Sequence, residues 1–144
     1  MRILVTGPGG FLGGEIVDQL LARGDEVVGV SRGDYPQLVA KGVEYRRGDL
    51  VDCGVATQLL CDVDAVVHTA ATAGVWGAYE TYYRINTQAT LNVIQACREN
   101  GIRTLVFTSS PSVTFDGQHQ RGVDETEPYP NRWLCAYPQT QALA

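Results

Sequence analysis

A short apolar run that opens directly into a glycine-rich loop constrains this chain more than any other feature. Arg2 to Thr6 reads RILVT, which has the length and composition of a buried strand, and the loop GPGGFLGG follows it at once. Apolar residues at helical spacing then predict a helix over Phe11 to Arg23. Gly7, Gly10 and Gly13 recur at a spacing of three in the turn between the two elements. Such a strand–turn–helix unit brings backbone N–H groups against a pyrophosphate, so the pattern predicts nucleotide binding.

The remainder of the chain continues to alternate strands and helices. The predicted strands are Arg2 to Thr6, Glu26 to Ser31, Val43 to Gly48, Asp64 to Ala70 and Arg103 to Ser109. A long helix is predicted over Tyr79 to Asn100, where apolar residues recur every four positions. Alternation of this kind requires right-handed crossovers between parallel strands. The predicted fold class is therefore α/β, a doubly wound parallel sheet of the Rossmann type, formed by one domain over residues 1–144.

The pattern changes after the fifth predicted strand. Pro111 to Leu134 is rich in Pro, Gly, Asp and Asn and is predicted to be one long loop. A third helix, a short one, is predicted to begin at Tyr137 and to run toward the last residue, Ala144.

Charge and composition narrow the partners and the compartment. The net charge is −5 and no basic stripe is present, which excludes nucleic acid as an expected partner. No apolar run reaches the length of about 20 residues that a membrane span needs, so we expect a cytoplasmic protein that acts on a small molecule. The four cysteines lack CxxC spacing, and we expect no metal site.

The adenosine half of a bound dinucleotide has candidate ligands at two strand ends. Ser31 and Arg32 end the second strand, where an acidic residue would select NAD through the ribose hydroxyls. An arginine there suits a 2′-phosphate instead, so the sequence favours NADP over NAD. Asp49 and Leu50, just after the third strand, can accept from the adenine amino group and pack on its ring.

With these motifs in place, the chain resembles the extended short-chain dehydrogenase/reductase family. The matching segments, which occur in the family's order, are TGPGGFLG (6–13), GDL (48–50), HTAA (68–71), NTQAT (86–90), TSSPSV (108–113) and YPQTQ (137–141). Within the family, SRGDYPQL, AGVWGAYETYY and TSSPSVTFDG look most like the 3β-hydroxysteroid dehydrogenase-like branch and its 2-alkyl-3-oxoalkanoate reductases.

The resemblance implies a role for each residue of these motifs. Gly7, Gly10, Phe11 and Leu12 would line the pyrophosphate, Asp49 and Leu50 would hold the adenine, Thr69, Ala70 and Ala71 would flank the cofactor, and Asn86 would steady the backbone of the active site. Ser110 would hydrogen-bond the substrate oxygen and Tyr137 would exchange a proton with it, in a reaction that interconverts a secondary alcohol and a ketone. Ser109 and Ser112 are rivals to Ser110.

Position 141 departs from the family pattern. The family places a lysine four residues after the tyrosine, where its charge lowers the tyrosine pKa and its side chain holds the nicotinamide ribose. Gln141 stands there. A neutral amide can bond a hydroxyl but cannot favour tyrosinate, so the resemblance predicts impaired catalysis.

Family members continue well beyond this tyrosine, so the resemblance implies a sheet incomplete on its carboxyl-terminal side and an absent substrate region. From this we expect exposed apolar surface on one sheet face and a poorly held Tyr137. Three interpretations stay open: an NAD(P)-dependent reductase or dehydrogenase, an NDP-sugar epimerase or dehydratase lineage, and a non-catalytic dinucleotide-binding module. A homodimer through the long helix is a further expectation.

Overall fold

The computed structural model describes residues 1–144 and contains one five-stranded parallel sheet. The strands are β1 (Arg2–Thr6), β2 (Glu26–Ser31), β3 (Glu44–Arg47), β4 (Ala65–His68) and β5 (Thr104–Phe107). The helices are α1 (Phe11–Ala22), α2 (Pro36–Ala40), α3 (Cys53–Leu59), α4 (Tyr79–Tyr82), α5 (Ala89–Glu99) and α6 (Ala136–Ala142). A π-helical segment, Tyr83–Gln88, joins α4 to α5, and Pro111–Thr114 forms a 3₁₀ turn.

The strand order β3-β2-β1-β4-β5 confirms the doubly wound α/β prediction. The chain runs outward from β1 to β3, then crosses to the other side of β1 for β4, so the order reverses between β1 and β4. Thr6 pairs with Val30 on one side and with His68 on the other, which aligns the carboxyl ends of the three central strands. Crevices at such a switch point are where open α/β sheets bind ligands.

Apolar layers cover the sheet on both faces. On one face α3 and α5 pack on the sheet through a cluster of twelve buried residues that includes Leu4, Val66 and Val93. On the other face α1 and α2 contribute to a smaller cluster that contains Val5 and Val17. The strand β5 forms an edge of the sheet, and its Val106 is 55% exposed. None of the helices is long and apolar enough to cross a membrane.

The bounds of three predicted strands were too wide. The strands β3, β4 and β5 are each four residues long and end before Gly48, Ala70 and Ser109. At β4 the physical reason is visible, because the backbone N–H groups of Thr69 and Ala70 donate to the side chain of Thr6 at 3.1 and 3.0 Å. The ladder therefore ends at His68.

The long helix is also different from its prediction. In place of one α-helix over Tyr79 to Asn100, the chain forms α4, the π-segment and α5 in succession. A π-turn widens a helix locally and is most common where a side chain has a function. Two short helices, α2 and α3, lie in stretches for which the sequence carried no separate helix prediction.

The short helix α6, on which we expected a poorly held Tyr137, is held by tertiary hydrogen bonds at Thr140. It packs against the π-segment and the 3₁₀ turn. Thr87 Oγ1 donates to the carbonyl of Thr140 at 2.7 Å, and Asn86 Nδ2 donates to Thr140 Oγ1 at 3.1 Å. Two turns are too few to be stable alone, but these tertiary bonds replace the missing length.

Candidate functional site

A cleft of about 350 Å³ lies at the carboxyl ends of the strands, beside the switch point. The cleft brings together eight of the residues that the sequence places around a cofactor. They are Gly7, Gly10, Arg32, Asp49, Leu50, Thr69, Ala70 and Ala71. Much of the remaining wall consists of residues that were not predicted to line a site. They are Val30, Tyr35, Val51, Ile85 and Ala89.

The glycine loop forms one wall through its backbone. Gly7 has a φ of +68°, a conformation in which side chains are rare, and its N–H donates to the carbonyl of Val30 at 2.9 Å. Gly13 lies directly behind it in α1, where a Cβ would stand 2.2 Å from the carbonyl oxygen of Gly7. Glycine at these two positions lets α1 approach β1 closely enough to point its first turn into the cleft.

The first turn of α1 presents unused hydrogen-bond donors. The N–H groups of Phe11, Leu12 and Gly13 have no acceptor within the chain, and the N-cap residue Gly10 has no side chain to offer one. Twelve aligned peptide units add the positive end of the helix dipole. The side chains of Phe11 and Leu12 are exposed and do not line the cleft, so these residues can serve a ligand only through their backbone.

Tyr35 is a cleft residue that the sequence did not reveal. Its ring lies against Gly9 of the loop and against Gly33, and it packs edge-on against Tyr45 at 6.1 Å between ring centroids. The hydroxyl of Tyr45 donates to the carbonyl of Gly33 at 2.8 Å. The signal available beforehand was the tyrosine in SRGDYP, but a turn tyrosine alone does not indicate what its ring covers.

A buried polar chain supports the opposite wall. The side chain of Thr6 accepts from the N–H groups of Thr69 and Ala70 and lies 2.7 Å from His68 Nδ1. His68 Nε2 lies 2.9 Å from Thr90 Oγ1, which itself donates to the carbonyl of Asn86 at 2.5 Å. Because that hydroxyl proton is already used, Thr90 can only accept from His68, which places the ring proton on Nε2.

Asn86 lies behind the cleft, outside its lining. It is 1% exposed, its Oδ1 accepts from Thr72 N–H at 2.8 Å and its Nδ2 donates to the Thr72 carbonyl at 3.1 Å. Since Nδ2 also donates to Thr140, one amide connects the segment after β4 with α6. Asn86 thus braces the two segments that flank the cleft.

Ser110, Tyr137 and Gln141 lie on the segments beyond the cleft lining. Ser110 caps the 3₁₀ turn, with its Oγ 2.8 Å from that of Ser112, while Ser109 is exposed. The hydroxyl of Tyr137 has no partner within the chain. Gln141 is 3% exposed, and its Oε1 is buried without a hydrogen-bond donor. A donor from a ligand would satisfy this oxygen, which otherwise carries a desolvation cost.

Known proteins resemble this chain in both sequence and fold. The model of the 3-beta hydroxysteroid dehydrogenase/isomerase family matches residues 4–144. A 2-alkyl-3-oxoalkanoate reductase of Stenotrophomonas maltophilia is 45% identical over the whole chain, which covers 44% of that protein. A crystal structure of a UDP-galactose 4-epimerase superposes with a TM-score of 0.85 at 33% identity, covering 99% of this chain and 48% of that one.

A short-chain dehydrogenase/reductase superfamily protein from Agrobacterium tumefaciens, whose structure has bound NAD, superposes with a TM-score of 0.84 at 28% identity. Our chain covers 42% of it, and 99% of our chain is matched. The chain thus spans less than half the length of each of these three relatives. The match over residues 4–144, together with the sheet order and glycine loop, shows that the chain belongs to the 3-beta hydroxysteroid dehydrogenase/isomerase family.

Proposed function

We propose that the cleft binds a nicotinamide dinucleotide, with its pyrophosphate at the first turn of α1. The observation that carries the proposal is the set of unpaired N–H groups at Phe11, Leu12 and Gly13, which open beside Gly7 at the switch point. The residues present fit such a group, because Gly7 and Gly10 line the cleft without a side chain. A related structure with bound NAD has the same fold.

The adenosine end of the cleft favours NADP over NAD in this proposal. Arg32 follows β2 and lines the cleft, and no carboxylate binds its side chain. Asp49 lines the same end, where its Oδ1 accepts from the N–H of Val51 at 3.1 Å. An arginine at the end of β2 would pair with a 2′-phosphate that NAD lacks.

Titration of the chain with NADPH and NADH, followed by nicotinamide fluorescence, tests both statements. We expect NADPH to bind more tightly, and Arg32→Gln to weaken NADPH by at least about tenfold because a charge-assisted bond is lost. The same variant should alter NADH binding by less than about threefold. Arg121→Gln, in the exposed loop, is the matched control. Absence of binding at about 1 mM of either cofactor contradicts the proposed function.

The proposed reaction is the interconversion of a secondary alcohol and a ketone, on a 3-oxo acid or a 3β-hydroxysteroid-like substrate. A bound nicotinamide supplies or accepts hydride. Tyr137 has a free hydroxyl with which to exchange the proton, and Ser110 offers a hydroxyl on the neighbouring 3₁₀ turn. The family match and the 45% identity to a 2-alkyl-3-oxoalkanoate reductase support this substrate class over sugar nucleotides.

The missing cation limits catalysis in this proposal. The chain's only lysine, Lys41, pairs with Asp18 at 2.6 Å on the surface, and Gln141 is neutral. No lysine therefore stands beside Tyr137 to favour its role as proton donor. A non-catalytic dinucleotide-binding module is the second candidate function, and the neutral buried amide of Gln141 is the observation that favours it.

The variant Gln141→Lys separates the two candidates. If the chain is a weakened reductase, kcat for ketone reduction with NADPH should rise on the order of tenfold to a hundredfold, because general acid catalysis improves. The dissociation constant of NADPH should change little. Gln139→Lys adds the same charge to α6 two residues earlier and should give no gain. A folded Gln141→Lys variant that binds NADPH without any gain in kcat favours the binding module.

A further inference from the structure

A smaller cavity of about 180 Å³ adjoins the adenosine end of the cleft. Its lining consists of Arg32, Asp49, Val51, Thr81, Arg84 and Ile85. Four of these residues, Arg32, Asp49, Val51 and Ile85, also line the main cleft, so the two are neighbouring compartments. A water occupies about 30 Å³ in the liquid, so the cavity has room for a phosphate group with some of its hydration.

Two arginines from distant parts of the chain line this cavity. Arg32 follows β2, whereas Arg84 belongs to the π-segment between α4 and α5. Neither side chain donates a hydrogen bond or forms an ion pair, although Arg2, Arg23 and Arg46 all have carboxylate partners. Two guanidinium groups without a carboxylate partner therefore line one small cavity.

The remaining polar groups of the cavity leave its charge positive. Asp49 is the one carboxylate in the lining, and it lies beyond ion-pair distance of both arginines. Nearby, Arg47 Nε donates to the carbonyl of Arg32 at 2.9 Å, which fixes the backbone at the end of β2 and adds a third positive charge beside it. The two lining arginines outnumber the single carboxylate, so the cavity favours an anion.

We propose that Arg84 is a second ligand, together with Arg32, for a phosphate on the adenosine ribose. The proposal rests on the dinucleotide site described above, since the cavity takes its position from the ribose end of that cleft. One guanidinium can donate two parallel hydrogen bonds to a phosphate, and two arginines from different segments would hold the phosphate between them. Arg84, in the π-segment, thus determines cofactor specificity together with Arg32 at the end of β2.

The test uses two soluble probes that differ by one phosphate, adenosine 2′,5′-bisphosphate and 5′-AMP. Calorimetric titration of the full chain should show the bisphosphate binding at least about thirtyfold more tightly, as two charge-assisted contacts would give. Arg84→Gln should reduce this ratio by at least about fivefold and leave 5′-AMP within about twofold. Arg98→Gln is the matched control, because Arg98 is exposed and unpaired on α5 and does not line either cavity.

Each result has a defined consequence. A reduced ratio in Arg84→Gln with an unchanged ratio in Arg98→Gln supports the proposal. An unchanged ratio in Arg84→Gln, with a lowered one in Arg32→Gln, overturns it and leaves Arg32 as the sole phosphate ligand. Equal affinity of the unmodified chain for both probes overturns the phosphate site but leaves dinucleotide binding in place. Failure of both probes and of NADPH to bind overturns this proposal and the proposed function together.

Discussion

Replacing Gly13 by alanine is expected to destabilise the fold and to weaken nucleotide binding by at least about tenfold. The added Cβ would lie 2.2 Å from the carbonyl oxygen of Gly7 and 2.9 Å from its carbonyl carbon. Both are backbone atoms that cannot rotate away, so α1 has to move from β1. Overpacking of this kind costs about 1–3 kcal/mol in the free energy of unfolding.

The loss of binding follows from the same displacement. Gly7 is fixed to β2 by its bond to the carbonyl of Val30, so the helix is the part that yields. A shift of α1 moves the unpaired N–H groups of Phe11 and Leu12 away from the site of the pyrophosphate. Dipole and hydrogen bonds act only within the first turn, so a small displacement removes much of their effect.

Gly14 provides a matched control one residue further along the helix. A Cβ at Gly14 would lie 3.6 Å from its nearest neighbour, the carbonyl oxygen of Pro8, which is an ordinary contact. Gly14→Ala should therefore stabilise the fold by roughly 0.5–1 kcal/mol through lower backbone entropy of the unfolded chain. Urea unfolding and NADPH titration of both variants measure the difference. Equal behaviour of the two variants would show that the close approach of α1 to Gly7 is unimportant.

The sequence pattern correctly predicted the elements whose structure depends on neighbouring residues in the chain. The strands β1 and β2 have the bounds expected from their apolar runs, and the glycine spacing correctly located the turn into α1. The parallel, doubly wound arrangement followed from the order of elements alone. These features depend on residues adjacent in sequence, which is why composition and spacing suffice.

Features set by contacts between distant segments escaped prediction. The π-segment contains Asn86, whose amide bonds Thr72 and Thr140, and no periodicity of the helix reveals those partners. The same bonds hold α6 in place against its low intrinsic stability. Arg84 lines the small cavity because the fold brings the π-segment close to Arg32 and Asp49. An arginine at an exposed helical position does not reveal this neighbourhood from the sequence.

His68 shows how a residue in a recognised motif can have a structural role of its own. The ring is fully buried between Thr6 and Thr90 and stacks on Phe107 at 5.8 Å between centroids. Thr6 already accepts from two backbone N–H groups, so its hydroxyl proton is directed to His68 Nδ1. A second ring proton, on Nδ1, would face the hydroxyl proton of Thr6, and the two donors would repel each other. The neutral ring with its proton on Nε2 is therefore the form that the fold accepts.

Acidification is accordingly expected to destabilise the protein well above the range in which carboxylates titrate. Burial lowers the pKa of His68 from 6.5 to about 4. The unfolded chain then binds more protons than the folded chain between these values, so the free energy of unfolding falls as the pH drops from about 6.5 toward 4. The loss between about pH 7 and pH 4.5 should be on the order of 2–3 kcal/mol.

Two variants isolate this contribution. His68→Asn should lower stability at pH 7 by leaving a partly filled site, yet its stability should depend much less on pH between about 7 and 4.5. His119→Asn changes the only other histidine, which is exposed, and should keep the pH dependence of the unmodified chain. Urea unfolding at several pH values measures both.

Proton NMR of the His68 ring gives a second readout that needs no variant. The Nε2-protonated form should persist down to about pH 5, because protonation requires breaking the bond from Thr6 or exposing the ring. A titration midpoint near 6.5 in the folded protein would contradict the buried neutral assignment. Since Thr6 also orders Thr69 and Ala70 in the cleft wall, the acid range that protonates His68 should weaken NADPH binding along with the fold.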